Sequence, residues 1–198
     1  VDTGVDGAYR FLKRLWKQVF IHLQQGAITV DPTLHQTLTP DLKALRFQLH
    51  QTIAKVSDDL DRRHTFNTAI AAVMELMNNL TKSQGTDPAS RNLMQEALEN
   101  IVLLLSPIVP HICHELWREL RPGTELFDQP WPQADSSAMV QDQIKLIVQV
   151  NGKLRGQIDI AKDAGKETIE SAALANEHVQ KFLEGQTVKK IIIVPGRL

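Results

Sequence analysis

Residues 103–111 read Leu-Leu-Leu-Ser-Pro-Ile-Val-Pro-His, an apolar run that two prolines interrupt. Proline lacks the N–H that an α-helix interior needs and its ring clashes with the preceding turn, but it is favoured at the first position of a helix. The run therefore predicts that one helix ends near Ser106 and that another begins between Pro107 and Pro110. A connection this short between two apolar helices is typical of a helical bundle.

Helical spacing recurs on both sides of this stretch. Apolar residues at intervals of three and four predict amphipathic helices over residues 9–21, 40–62, 67–80, 88–105 and 110–121. Thr39 followed by Pro40 is a typical N-cap and first helical residue. We predict an antiparallel five-helix bundle that occupies residues 1–135.

The hydrophobic period changes from helical to alternating after Trp131. Alternate apolar residues over 144–150 and 154–160 predict two antiparallel strands joined at Asn151-Gly152. A two-residue loop would place the two apolar sets on opposite faces, so we predict a three-residue loop, 151–153, with a glycine bulge. Two short helices, separated by a cap at Asn176, and a last strand over 188–194 complete a small ββααβ domain. The fold class is thus multi-domain, α and α+β, with the second domain over residues 140–198 and a linker at 136–140.

The composition limits what the chain can bind. Its net charge is −1 in 198 residues, so nucleic-acid binding would have to come from local basic patches rather than from the whole molecule. The single cysteine, Cys113, cannot form an internal disulfide, and no apolar run approaches the roughly 20 residues that cross a bilayer. Without a targeting leader, the chain is expected to be cytoplasmic, with no membrane role.

The bundle motifs resemble a known family. The proline-interrupted stretch, together with Phe66-Asn67-Thr68-Ala69-Ile70-Ala71 and Trp131-Pro132, is similar to the anticodon-binding helical bundle of class I aminoacyl-tRNA synthetases of the leucine, isoleucine, valine and methionine group. Residues 148–156, Val-Gln-Val-Asn-Gly-Lys-Leu-Arg-Gly, and the final Val194-Pro195-Gly196-Arg197-Leu198 resemble the small terminal domain of the bacterial-type leucyl-tRNA synthetase family. Gly4 to Leu12 also resembles that family, at the point where its catalytic region leads into the bundle.

The resemblance implies a tRNA-binding role. A member of this family would bind tRNA(Leu) and position it for ATP-dependent leucylation, a ligase reaction of protein biosynthesis that a separate catalytic domain performs. That domain would use ATP and Mg, and this region would need no cofactor and would contain no catalytic residue. His111-Ile112-Cys113-His114 imitates the catalytic H-I-G-H motif, but it follows a helix rather than a strand and Cys113 replaces the glycine that lets ATP approach. Because the family extends beyond the position of Leu198 and Val1 is not methionine, we expect an excised fragment truncated at its end.

A basic row on the first helix is the first candidate RNA-binding site. Its residues follow one another at helical spacing, which suits contact with successive phosphates: Arg10, Lys13, Arg14 and Lys17. A solvated helix face would have the same pattern. The resemblance favours RNA, because in the family this helix lies on the tRNA-facing side of the bundle.

The hairpin of the small domain is the second candidate site. Lys153 and Arg155 lie at and just beyond its tip, and the resemblance implies that this domain contacts the tRNA elbow, which is recognised by shape, phosphates and 2′-hydroxyls. Lysines that protect an edge strand from aggregation would explain the same residues. The other candidates of this kind are Lys189, Lys190 and Arg197.

Two further groups are interpreted as structural. His111, Cys113, His114 and Glu115 do not place four ligands on one helix face, so we predict helix-start packing and no metal site. Trp16, Trp117 and Trp131 are expected to be core and loop anchors rather than base-stacking platforms.

Two alternatives to the leucine-specific function remain at this point. One is a non-catalytic helical protein-interaction module without RNA, and the other is the equivalent region of a valyl- or isoleucyl-tRNA synthetase. The preferred partner is tRNA(Leu), with no DNA and with the protein as a monomer.

Overall fold

The computed structural model describes residues 2–83, 85–140, 143–161, 164–183 and 191–192, and the chain divides into two compact units, Val1–Val140 and Gln141–Leu198. The prediction of a mostly helical chain with one small antiparallel sheet is confirmed. No helix in the described part of the chain is both long enough and apolar enough to cross a membrane.

The described residues of the first unit form five α-helices and two short 3-10 helices. The α-helices are α1 (Asp2–Leu23), α2 (Pro40–Asp61), α3 (Phe66–Lys82), α4 (Pro88–Leu105) and α5 (Pro110–Leu120), and the 3-10 helices are Pro32–Thr37 and Leu126–Asp128. Helix α1 begins seven residues earlier than the apolar spacing predicted, because the spacing starts only where the helix meets the core. The break at Ser106–Val109 confirms the interpretation of the two prolines.

Side-chain caps fix the starts of two of these helices. The Thr39 hydroxyl accepts a hydrogen bond from the Leu42 N–H at 3.4 Å, and the Asp87 carboxylate accepts one from the Ser90 N–H at 3.0 Å. In both helices proline follows the cap, where its missing N–H costs nothing. Thr65 precedes α3 without a side-chain cap bond.

The core of the first unit is formed by the inner faces of these helices. Its most deeply buried side chains include Leu15, Leu49, Leu76, Leu98 and Trp117. Burial of this kind contributes roughly 1.5–3 kcal/mol for each large apolar side chain. Cys113 is also buried, and this burial raises the pKa of its thiol to about 12.

A charged cluster lies within this core. Glu96 on α4 accepts hydrogen bonds from Arg46 Nε at 3.1 Å, from Arg46 Nη2 at 3.1 Å and from His50 Nε2 at 3.1 Å. Arg46 also donates to Asp135 at 2.7 Å, and the Asp135 N–H donates to His50 Nδ1 at 3.1 Å. The cluster thereby ties the segment that leaves the first unit to helices α2 and α4.

Electrostatics in the cluster favour the ionised carboxylates. Burial acts to raise the pKa of Glu96, but the bonds from His50 and Arg46 outweigh it and hold that pKa below its usual value. Hydrogen bonds from Ser137 and Arg46 hold the pKa of Asp135 well below its usual range.

The second unit contains the hairpin β1 (Gln143–Val150) and β2 (Lys153–Ala161), followed by α6 (Lys166–Ala175) and α7 (Glu177–Leu183). The prediction of a three-residue hairpin loop is wrong. Val150 pairs with Lys153, so the loop is Asn151-Gly152 alone. The bulge exists, but it lies in β2 at Arg155, because Gln149 pairs with Leu154 and Val148 pairs with Gly156.

This bulge brings the apolar residues of β1 and β2 to the same face of the hairpin despite the two-residue loop. The extra residue shifts β2 by one position, so Leu146 pairs with Ile158 and Ile144 pairs with Ile160. Asn176 separates the two helices as predicted, since its side chain accepts hydrogen bonds from the N–H groups of His178 and Val179. The predicted last strand, 188–194, lies mainly outside the described residues, and residues 191–192 are not in a strand.

Candidate nucleic-acid interface

Helix α1 presents its basic row to solvent. Arg10, Lys13, Arg14 and Lys17 are all exposed. Within the described part of the chain, none of the four has a carboxylate within ion-pair distance. A cation that is not already neutralised by the protein is free to pair with a phosphate and to displace a counterion.

Several basic side chains elsewhere in the first unit are neutralised. Arg62 and Arg63 at the end of α2 both contact Asp58, at 2.6 and 2.9 Å, and Arg121 contacts Glu99 at 3.0 Å. The hydrogen bond from Arg62 lowers the pKa of Asp58. These pairs favour a structural role for the basic cluster at the end of α2.

The tryptophans divide differently from the prediction. Trp117 is buried and donates its indole N–H to Thr124 Oγ1 at 3.0 Å, so it is a core anchor. Trp131 is 39% exposed, and its indole N–H donates to Ser57 Oγ at 2.8 Å, which makes it a loop anchor. Trp16 does not occupy the core position that its helical spacing predicted, because this side chain is 46% exposed. The apolar spacing of α1 includes Trp16 and Phe20, but the face that is buried carries Gln18 and His22 beside Phe11, Leu15 and Val19.

The second group of candidate residues lies at and near the hairpin tip. Asn151 and Gly152 have φ angles of 52° and 76°, and positive φ at both central residues is the requirement of a type I′ turn. Lys153 follows directly and is exposed. The Asn-Gly signal in the sequence thus predicted the turn, although the loop length was misjudged.

Arg155 is held by an aromatic ring. Its guanidinium carbon lies 3.8 Å from the centroid of the Phe182 ring on α7. A guanidinium that stacks on a ring keeps its N–H groups at the edge of its own plane, where they can still donate to a phosphate. The position at the bulge and the contact with Phe182 could not be read from the sequence.

The three remaining candidates, Lys189, Lys190 and Arg197, lie outside the described residues. In the described ranges, no group of three or more His, Cys, Asp and Glu residues could hold a metal ion. His114 instead lies 3.3 Å from Glu125, and its ring stacks on Phe127.

Comparison with known proteins identifies the class to which this arrangement belongs. Residues 43–170 match the model of the anticodon-binding domain of tRNA ligase. The chain belongs to this family of tRNA-ligase anticodon-binding domains. The matched region begins within α2 and continues into the second unit, so it does not include α1.

The particular member is indicated by similarity over the whole chain. The chain is 70% identical over 197 residues to the leucine–tRNA ligase of Nitrosospira multiformis and 64% identical over 200 residues to that of Nitrosomonas europaea. Each match covers the whole of this chain and 23% of the relative, so the chain spans about a quarter of the length of these ligases. The predicted resemblance to leucyl-tRNA synthetase is confirmed, and the comparisons do not favour a valyl or isoleucyl enzyme or an RNA-independent interaction module.

A solved structure agrees with these matches. The chain superposes on Agrobacterium radiobacter LeuRS, in a ternary complex with tRNA and LeuAMS, with a TM-score of 0.74 and 31% identity. The superposition covers 98% of this chain and 25% of that one.

Proposed function

We propose that this chain is the tRNA-binding region of a leucine–tRNA ligase, and that it holds tRNA(Leu) so that the acceptor end reaches the catalytic domain of the parent enzyme. The observation that carries the proposal is the row of four exposed cations on α1, which has no protein carboxylate within ion-pair distance in the described structure. The identity to leucine–tRNA ligases and the tRNA in the complex of the similar LeuRS support it. Binding energy gained far from the reacting atoms contributes to catalysis when it fixes the orientation of the substrate.

The hairpin is proposed as a second contact. Lys153 projects from the turn, and Arg155 is oriented by Phe182, so both could reach phosphates of a folded RNA. Leucine has six codons, which makes the anticodon a poor identity signal. We therefore expect backbone and shape contacts to dominate, with Lys189, Lys190 and Arg197 as further candidates.

The finer architecture also belongs to this proposal. Residues 1–135 would act as the antiparallel five-helix bundle, and residues 140–198 as the ββααβ terminal domain. We expect this region to need no cofactor, with ATP and Mg used by the catalytic domain of the parent ligase. A monomeric, cytoplasmic enzyme that binds tRNA(Leu) and not DNA fits the proposal.

The test is a titration of labelled tRNA(Leu) transcript with the 198-residue chain. Charge reversal by Lys153→Glu with Arg155→Glu should raise the Kd at least about tenfold, because two phosphate contacts are replaced by repulsion. The matched control, Lys43→Glu with Lys82→Glu, changes the same charge on exposed positions of α2 and α3 and should leave the Kd within about twofold. Equal Kd values for the wild-type chain and the hairpin variant would refute the hairpin contact.

A further inference from the structure

Helix α1 carries a row of exposed aromatic side chains in addition to its cations. Tyr9 is 63% exposed, Trp16 is 46% exposed and Phe20 is 59% exposed. Large apolar side chains left in water on one helix face usually mark a binding surface rather than a folding requirement. The contacts within the first unit do not explain them, since the inner face of α1 is made by Phe11, Leu15 and Val19.

The exposed residues of α1 form two parallel rows, one that is mainly aromatic and one that is basic. Tyr9, Lys13, Trp16 and Phe20 follow one another at steps of four, three and four, which keeps them on one line along the helix. Arg10, Arg14 and Lys17 follow at steps of four and three and form the neighbouring line. Lys13 belongs to the first row, and its ammonium lies 5.9 Å from the centroid of the Tyr9 ring.

The charge on this surface has one sign. Residues 8–24 contain four Lys and Arg residues and no Asp or Glu. The acidic residues of this part of the sequence, Asp2 and Asp6, precede residue 8. A surface that combines stacking rings with an acid-free basic line has the composition of a single-strand nucleic-acid platform.

We propose that unpaired bases of the bound RNA stack on Trp16 and Phe20 while Arg10, Arg14 and Lys17 contact the adjoining phosphates. The inference rests on the proposed tRNA-binding function and adds the chemistry of the contact. Four residues of helix separate the two rings by about 6 Å along the axis, which leaves room for one base on each. The site selects nucleotides from loops, because bases inside an RNA stem offer no free face.

A protein partner is the less favoured occupant of this face. Protein–protein interfaces are enriched in aromatic residues but depleted in lysine, and here Lys13 lies within the aromatic row itself. The region that matches the anticodon-binding family model begins at residue 43, so that match assigns nothing to α1.

The experiment compares RNA binding by the 198-residue chain and two Trp16 variants. Trp16→Leu keeps an apolar side chain but removes the aromatic face, and it should weaken binding of tRNA(Leu) transcript by roughly five-fold or more. Trp16→Phe should restore most of the affinity, because phenylalanine still presents a ring. The slope of log Kobs against log salt should be the same for all three proteins, since no charge changes.

Two controls make the interpretation specific. Phe127→Leu removes a ring that is 68% exposed, more than the 46% of Trp16, from another part of the first unit and should not affect tRNA binding. A fully base-paired RNA duplex should bind the wild-type chain and Trp16→Leu equally, because it offers no unpaired base. Thermal unfolding of each variant would verify that the fold is unchanged.

The outcomes separate the stacking contact from the proposed function. If the wild-type chain binds tRNA with a salt dependence and Trp16→Leu binds equally well, stacking is overturned while RNA binding stands. An equal loss on duplex RNA, or a loss that Trp16→Phe does not restore, also overturns it and favours a packing role for this face. If the wild-type chain does not bind tRNA at low salt, both proposals fail.

Discussion

Replacement of Glu96 by glutamine tests the electrostatic reasoning about the core. Arg46 and Glu96 are 7% and 8% exposed, and the carboxylate accepts bonds from both Arg46 nitrogens and from His50. Glu96→Gln keeps the shape of the side chain but leaves the guanidinium with Asp135 as its remaining carboxylate partner in the described structure. Removal of one partner from a buried ion pair costs about 3–5 kcal/mol.

Because Arg46 keeps its contact with Asp135, the expected loss in the free energy of unfolding is at the lower end of this range, about 3 kcal/mol. For a unit of this size, that corresponds to a fall in Tm of roughly 6–12 °C. Urea and thermal unfolding followed by circular dichroism would measure it. Glu75→Gln, an exposed position on α3, is the matched control and should change the unfolding free energy by less than about 0.5 kcal/mol.

A second substitution tests whether the unpaired charge of Arg46 causes the destabilisation. Arg46→Met combined with Glu96→Gln removes the stranded charge and should recover at least about 1 kcal/mol relative to Glu96→Gln alone. If Glu96→Gln unfolds within about 1 kcal/mol of the wild type, Glu96 is not the charged centre of the core and the reasoning is wrong.

Three further predictions concern other parts of the chain. Burial lowers the pKa of His22, and this effect outweighs the opposing hydrogen bond to Gln95. The unfolded state therefore binds a proton more readily, and the free energy of unfolding should fall as the pH drops below about 6.5 towards the folded pKa. His22→Gln should reduce this loss of stability between pH 7 and pH 5 in unfolding experiments, and an unchanged loss would contradict the prediction. A Cβ at Gly156 would lie 3.0 Å from Asn176 Oδ1 and from Val179 Cγ2, so Gly156→Val should destabilise the second unit by about 1–3 kcal/mol, and an unaltered hydrogen-exchange pattern of β2 would count against it. With a pKa of about 12, the Cys113 thiol should react with a thiol-specific reagent only after denaturant unfolds the protein, and labelling of the native chain would disprove this.

The elements whose signals are local could be predicted from the sequence. Helix boundaries are marked by three local signals, and the structure has a helix beginning or ending at each: Thr39-Pro40, Asp87-Pro88 and the interrupted run at Ser106–Pro110. Asn151-Gly152 and Asn176 likewise marked a turn and a break between helices.

The misjudged features depend on contacts between distant residues. The bulge at Arg155 is favoured by pairing of apolar residues further along both strands and by the ring of Phe182, which lies on a later helix. Trp16 has the spacing of a core residue, but the helices against which α1 packs decide which of its faces is buried, and they bury Gln18 and His22 instead. The buried cluster around Glu96 joins α2, α4 and the segment at Asp135, and no spacing within one segment reveals it.

The salt dependence of tRNA binding shows how many phosphates the cations of α1 contact. We predict that log Kobs of the 198-residue chain for tRNA(Leu) falls linearly with log salt. Replacement of Arg10, Lys13, Arg14 and Lys17 by glutamine should reduce that slope by about three to four, close to one for each lost phosphate contact. An unchanged slope and affinity in the four-fold variant would contradict the claim that this face of α1 binds RNA.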